Sequence, residues 1–141
     1  MKKLLLLATL AIALPLCAAD APANDEAAIR AVIDQYFQAH ATGDGAHIAA
    51  VFHPELKMMF VRDNAFMMRT RDEYIGGFTG KPAADEAQRK RSVLTIDITG
   101  TAAMAKLRLD YPKAILTDYF SLLKINGEWK VVNKIFNSEP K

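Results

Sequence analysis

Cysteine occurs once in these 141 residues, at Cys17. A single thiol forms no internal disulfide and no thiolate zinc site. An excess of one charge is lacking as well, since 18 Lys and Arg face 16 Asp and Glu. There is no Gly-x-Ser-x-Gly, no phosphate-binding glycine loop and no dinucleotide fingerprint, so the common signatures of hydrolases, NTPases and nicotinamide enzymes are absent. Thr79-Gly80-Lys81 lacks both the earlier glycine and the following Ser or Thr of a P-loop. The histidines His40, His47 and His53 include no i, i+4 pair on a helix, so no metal and no cofactor are expected. The apolar run Leu4 to Leu16 is shorter than the about 20 residues that cross a bilayer. Internal repeats and low-complexity stretches are missing.

That short run instead has the layout of a secretory signal peptide over residues 1–19. Lys2 and Lys3 form a basic start, and Cys17-Ala18-Ala19 puts small residues before a cleavage point at Asp20. Ala21-Pro22-Ala23 offers a second cleavage site. Lipidation at Cys17 would anchor the chain, but Leu16 stands where a small residue is needed. Removing Lys2 and Lys3 leaves 16 basic residues against 16 acidic ones, all of which lie beyond position 19. The mature chain is then close to neutral and free of cysteine, which argues against nucleic acid and, unless Cys17 is lipidated, against a membrane. The expected destination is the periplasm. The roughly 120 residues left suffice for one unstapled core.

Residues 20–26 read as a short tether, with Asn24 or Asp25 capping a first helix. Ile29, Val32, Ile33, Tyr36 and His40 make one helical stripe. Thr42-Gly43-Asp44 ends it, and a second helix runs from Gly45 to about Phe52, broken by His53-Pro54. Leu56 to Val61 and Ala65 to Arg69 read as strands around an Arg62-Asp63-Asn64 turn. Thr70-x-x-Glu73 is a capping box opening a third helix with Tyr74, Ile75 and Phe78. Residues 80–91 read as a loop, with Arg89-Lys90-Arg91 as its solvated end, balanced by Asp85 and Glu86. Ser92 to Ile98 and Ala102 to Leu109 are two further strands. Tyr111-Pro112 turns the chain into a last hairpin.

Asn126-Gly127 between two β-branched and aromatic runs fixes that hairpin, because a tight type I′ turn needs φ > 0 at both central residues. Pairing Ile125 with Glu128 sets Lys124 against Trp129, Leu122 against Val131, Phe120 against Asn133 and Asp118 against Ile135. Alternation puts these on one face, and Tyr119, Ser121, Leu123, Lys130, Val132 and Lys134 on the other. The first face is expected to be a concave wall with Asp118 and Asn133 looking into a pocket. Helices collected on one side of such a sheet make an α+β domain.

Two segments carry a resemblance to a known family. One is Tyr36-Phe37 through Gly43-Asp44 to Val51-Phe52-His53-Pro54; the more specific one runs from Asp118 to Phe136. Over residues 27–138 the chain resembles the nuclear transport factor 2-like (NTF2-like) superfamily, and within it the putative lumazine-binding group beside the SnoaL-like polyketide cyclases. The resemblance implies a cone: a curved, mainly antiparallel sheet with three N-terminal-side helices on its concave face, a pocket between them, and homodimerisation through the sheet. This fold hosts enzymes and non-catalytic modules alike. In the related ketosteroid isomerases, a helix tyrosine and a late-strand aspartic acid serve as oxyanion donors beside a carboxylate base. Tyr36 is similar in position to that tyrosine, and Asp118 approximates that acid. The base position falls on Phe60, which cannot take a proton.

The resulting expectation is a small-molecule-binding domain for an apolar or aromatic ligand, contacted by Tyr36, Phe60, Asp118, Phe120, Trp129 and Asn133. A second possibility is an isomerase, dehydratase or cyclase moving protons next to a carbonyl. Its catalytic candidates are Asp118, Tyr36 and His53. A third is a non-catalytic protein-interaction module. An open pocket with His53 outside it selects the first, and a filled cavity the third. Met58, Met59, Met67, Met68 and Met104 alternate on their strands, so some face a pocket or a partner.

Overall fold

The stripe on the first helix is the surface on which the domain condenses. Ile29, Ile33, Tyr36 and Ala39 are fully buried, with Val32 beside them. Their spacing puts them on one side of α1 (Pro22–Thr42). The computed structural model describes residues 22–141, so the expected signal peptide lies outside the described residues. α1 already includes Pro22, so the described part of the stretch read as a tether is helical.

After α1 come α2 (Ala46–Val51), β1 (Phe52–Arg62), β2 (Ala65–Thr70) and α3 (Arg71–Ile75). A short 3-10 turn (Glu86–Gln88) precedes β3 (Lys90–Thr99), β4 (Ala102–Tyr111), β5 (Ala114–Ile125) and β6 (Glu128–Pro140). The six strands form one curved, unclosed sheet in the order β2-β1-β6-β5-β4-β3. Every neighbouring pair is antiparallel except β1 and β6. The helices cover the concave side, where Met58, Phe60, Leu107, Phe120, Leu122 and Val131 meet the α1 stripe.

Local signals place the ends. Thr70 caps α3, its hydroxyl accepting from the Glu73 amide while the Glu73 carboxylate accepts from the Thr70 amide. Asn126 and Gly127 both adopt positive φ at the β5–β6 turn, as do Asp63 and Asn64 between β1 and β2. β1 starts earlier than the sequence suggests, at Phe52. Pro54 falls in the interval where β1 leaves regular pairing with β6, between Phe52 and Lys57, so its missing N–H costs no ladder bond there.

The hairpin departs from its expected register at one point. Pairing runs as expected from Ile125–Glu128 to Leu122–Val131. A bulge follows, and Ser121 then pairs with Asn133, Phe120 with Lys134 and Asp118 with Phe136. One extra residue on β6 turns the outer half of that strand over, because side chains alternate. Lys134 therefore faces the core and Asn133 does not. The Asn133 side-chain amide donates to the Lys57 carbonyl of β1, 3.2 Å away.

Candidate functional site

Three polar side chains meet beneath α1. Tyr36 comes from the helix stripe, Asp118 from β5 and Lys134 from β6, and all three are buried. The Tyr36 hydroxyl donates to Asp118 Oδ2 at 2.5 Å. Lys134 Nζ donates to Tyr36 Oη at 2.6 Å and to Asp118 Oδ2 at 2.8 Å. The ammonium also lies 4.7 Å from the centre of the Tyr36 ring, 5.3 Å from Phe136 and 5.6 Å from both Tyr74 and Phe120. A buried cation needs such company, since desolvation is opposed here by a carboxylate and by aromatic faces. Burial pulls the Lys134 ammonium below its ordinary value, and Asp118 counters it. Burial first, and then the Asp118 charge, drive the Tyr36 hydroxyl well above the usual phenol range, so it stays protonated. Asp118 Oδ1 has no hydrogen-bond partner among the described residues.

The cluster continues outward through Tyr74 and His40. Tyr74, on α3, stands close enough to Tyr36 for their hydroxyls to perturb each other. Its hydroxyl is 2.8 Å from His40 Nε2. Burial and the Asp118 charge raise the Tyr74 hydroxyl. Burial, then the charges of Lys134, Arg91 and Arg89, push the His40 imidazole down to about 3. The imidazole is thus neutral at ordinary pH. Its place at the negative end of α1 does not protonate it, contrary to the usual effect of a helix terminus.

His40 and Tyr74 form the inner wall of an open pocket of about 420 Å³. Phe78, Pro82 and Ala83 add apolar surface, and Arg69 and Lys81 add charge. The pocket depends on a close backbone crossing. Gly43 ends α1 at φ +73°, and a Cβ there would lie 2.1 Å from the Lys81 carbonyl oxygen. The Gly80 amide donates to the Gly43 carbonyl at 2.8 Å. Only glycine allows both the left-handed turn and this approach.

The expected site residues separate into groups. Tyr36, Asp118 and Phe120 converge, with the Tyr36 and Phe120 rings edge to face at 4.9 Å. They stand behind the pocket wall, not in its lining. Phe60 packs on Phe136 at 4.8 Å, with the Arg62 and Arg69 guanidinium groups over its ring. Trp129 is a docking residue: its indole N–H donates to Asp25 at 2.9 Å, and Lys124 pairs with the same carboxylate. Asn133 is turned away from the cluster by the bulge. His53 sits at the α2–β1 corner, its Nδ1 accepting from the Glu55 amide, and does not line the pocket. Arg89-Lys90-Arg91 is less solvated than expected, since Arg89 and Arg91 pair with Asp85 and Glu86 and lie over the Tyr111 ring. The sequence reading missed Lys134, and it gave no site role to His40 or Tyr74. A carboxylate buried in an apolar strand demands a nearby cation, a signal that asks for a partner without naming Lys134. Among the described residues, no group of three His, Asp or Glu side chains is placed to hold a metal.

Comparison with known proteins adds a family and relatives. The family described as Putative lumazine-binding matches residues 24–137. An NTF2-like protein of Shewanella baltica OS155 is 26% identical, with TM-score 0.78 over 86% of this chain and 98% of that one. An NTF2-like protein of Methylobacillus flagellatus KT is also 26% identical, with TM-score 0.72 over 85% and 96%. Among curated proteins, one named Aldolase FrzH, of Cladobotryum sp, is 23% identical over 106 residues, 75% of this chain and 85% of that protein.

Proposed function

Because the chain belongs to the putative lumazine-binding family of the NTF2-like superfamily, we propose that it holds a small molecule in the pocket between α1, α3 and residues 76–83. The observation that carries this reading is the pocket itself. It has a volume suited to a small ligand, aromatic walls, and a neutral His40–Tyr74 pair as its polar feature on the inner side. His53 lies outside it, which favours binding over the expected acid–base set. The physiological setting in this reading is the periplasm, supported by the Lys2-Lys3 start and the Leu4 to Leu16 run. The outer sheet face supports a homodimer, since Phe66, Met68, Met104, Leu123 and Ile135 are exposed.

Native mass spectrometry of the protein from its own host tests the reading. A reproducible bound mass is expected for the native chain and should be lost when Ala83→Trp fills the pocket. Retention of the same mass by Ala83→Trp, or no bound mass even after incubation with a metabolite extract, would overturn it.

A second reading is proton transfer beside a carbonyl. It is favoured by the Lys134–Asp118–Tyr36 cluster reaching the pocket through Tyr74, and by the likeness to a protein named an aldolase. Against it, the position expected for a base is Phe60. Deuterium exchange at the α-carbon of a ketone probe would support this reading if Asp118→Asn abolished it in a protein that stays folded.

A further inference from the structure

The pocket's charged residues are all of one sign. Arg69 and Lys81 line it, and no Asp or Glu does. Neither cation has an ion pair among the described residues, whereas Arg89 and Arg91 nearby are both paired. Arg69 instead holds its guanidinium 5.7 Å from the Phe60 ring, its charge felt by Tyr74 on the inner wall. Asp72, the carboxylate nearest Arg69 in sequence, pairs with Arg71, and Glu73 beside it accepts from the Thr70 amide and hydroxyl in the α3 cap, with the Arg69 charge acting on it as well. The deeper cations, Lys134, Arg89 and Arg91, are each matched by a carboxylate, so the unmatched charge at the pocket is that of its own lining.

Much of the apolar lining is aromatic. Tyr74 and Phe78 meet edge to face at 5.4 Å, and His40 meets Phe78 in the same way at 5.5 Å. We infer that the pocket selects a planar aromatic carboxylate, its ring against Tyr74 and Phe78 and its anionic end between Arg69 and Lys81. The inference rests on the pocket reading and specifies the ligand class. Guanidinium and carboxylate match as a two-pronged pair, and hydrogen bonds to charged partners discriminate strongly against neutral isosteres.

The test uses 2-naphthoate and 2-naphthamide, which share a ring system and differ in charge. Isothermal titration should give binding of the carboxylate about tenfold tighter than of the amide at low salt, weakening as salt rises. Arg69→Gln with Lys81→Gln should erase that preference. Both side chains are exposed, so these variants keep the fold, and circular dichroism checks it. Backbone amide shifts at Gly77 and Thr79 locate the bound probe. Equal binding of the two probes with those shifts present overturns the charge inference and leaves the pocket reading standing. So does a carboxylate preference that survives both substitutions. Binding of neither probe, with no shifts, overturns both.

Discussion

Asp118 is a carboxylate shut away from water, and its neighbours decide whether that is tolerable. Removing the Lys134 ammonium with Lys134→Met leaves a buried charge unmatched and should cost about 3–5 kcal/mol. Asp118→Leu, which strands the ammonium, should cost a similar amount. The double variant should lose far less than the two together, because an apolar pair of similar volume replaces the ion pair. Urea unfolding of the four proteins measures the coupling, and simple additivity would refute it. His40 governs a second expectation. Its imidazole is held down to about 3 from the ordinary 6.5. The unfolded chain takes up a proton below 6.5 while the folded one does not. Stability is therefore full above that pH and is lost progressively as pH falls from 6.5 toward 3, with a slope approaching about 1.4 kcal/mol per pH unit. Glu73, Asp25 and Asp110, also held below their ordinary 4.5, 3.8 and 3.8, add to the loss only further into acid. His40→Gln should flatten the upper part of this window in unfolding experiments at stepped pH, and an unchanged slope there would count against it. Tyr36 and Asp118 were visible in the sequence because each breaks an apolar pattern. Lys134 was not, because its inward aim comes from backbone pairing and not from its own spacing.

At the level of elements, the sequence is most readable where a turn has a chemical requirement. Asn126-Gly127, Asp63-Asn64 and the Thr70–Glu73 cap each solve a local problem with residues suited to it, and the structure has all three. The bulge on β6 has no such marker: neither Val132 nor Asn133 is a glycine, and both strands remain apolar on either side of it. The pocket was equally hidden, because it is made by residues 76–83 returning to the end of α1 across a gap that no local pattern spans. Gly43 is the joint of that return. Gly43→Ala should destabilise by well over the about 1–2 kcal/mol of a left-handed alanine, since the new methyl also meets the Lys81 carbonyl. Gly127→Ala, with a comparable positive φ and nothing within 4 Å, is the control and should show the conformational cost alone. Hydrogen exchange at the Gly80 amide should accelerate in the first variant and not in the second. Equal losses would mean that the crossing is not what fixes the loop.

Across the whole molecule, the helical stripe and the strand succession were enough to read an α+β domain, because helix-on-sheet burial leaves few other arrangements, and the resemblance to the NTF2-like superfamily supplied the cone. The assembly is a separate question of the opposite face. With Phe66, Met68, Met104, Leu123 and Ile135 exposed on that face, light scattering should report a dimer, and Ile135→Lys with Met104→Lys should return it to monomer without loss of thermal stability in the monomer unit. A native chain that is monomeric at every concentration would sink this expectation. The strand order has a temporal meaning too. β6 lies between β1 and β5, so the element synthesised after the other five is the one that joins them. Until it emerges, the N-terminal strand pair and the three-stranded β3–β5 meander are separate fragments, each with an open edge that β6 will later close. Completion must wait for contacts between distant parts of the chain. A nascent chain of this design keeps two strand edges open and stays unfinished through most of its own translation.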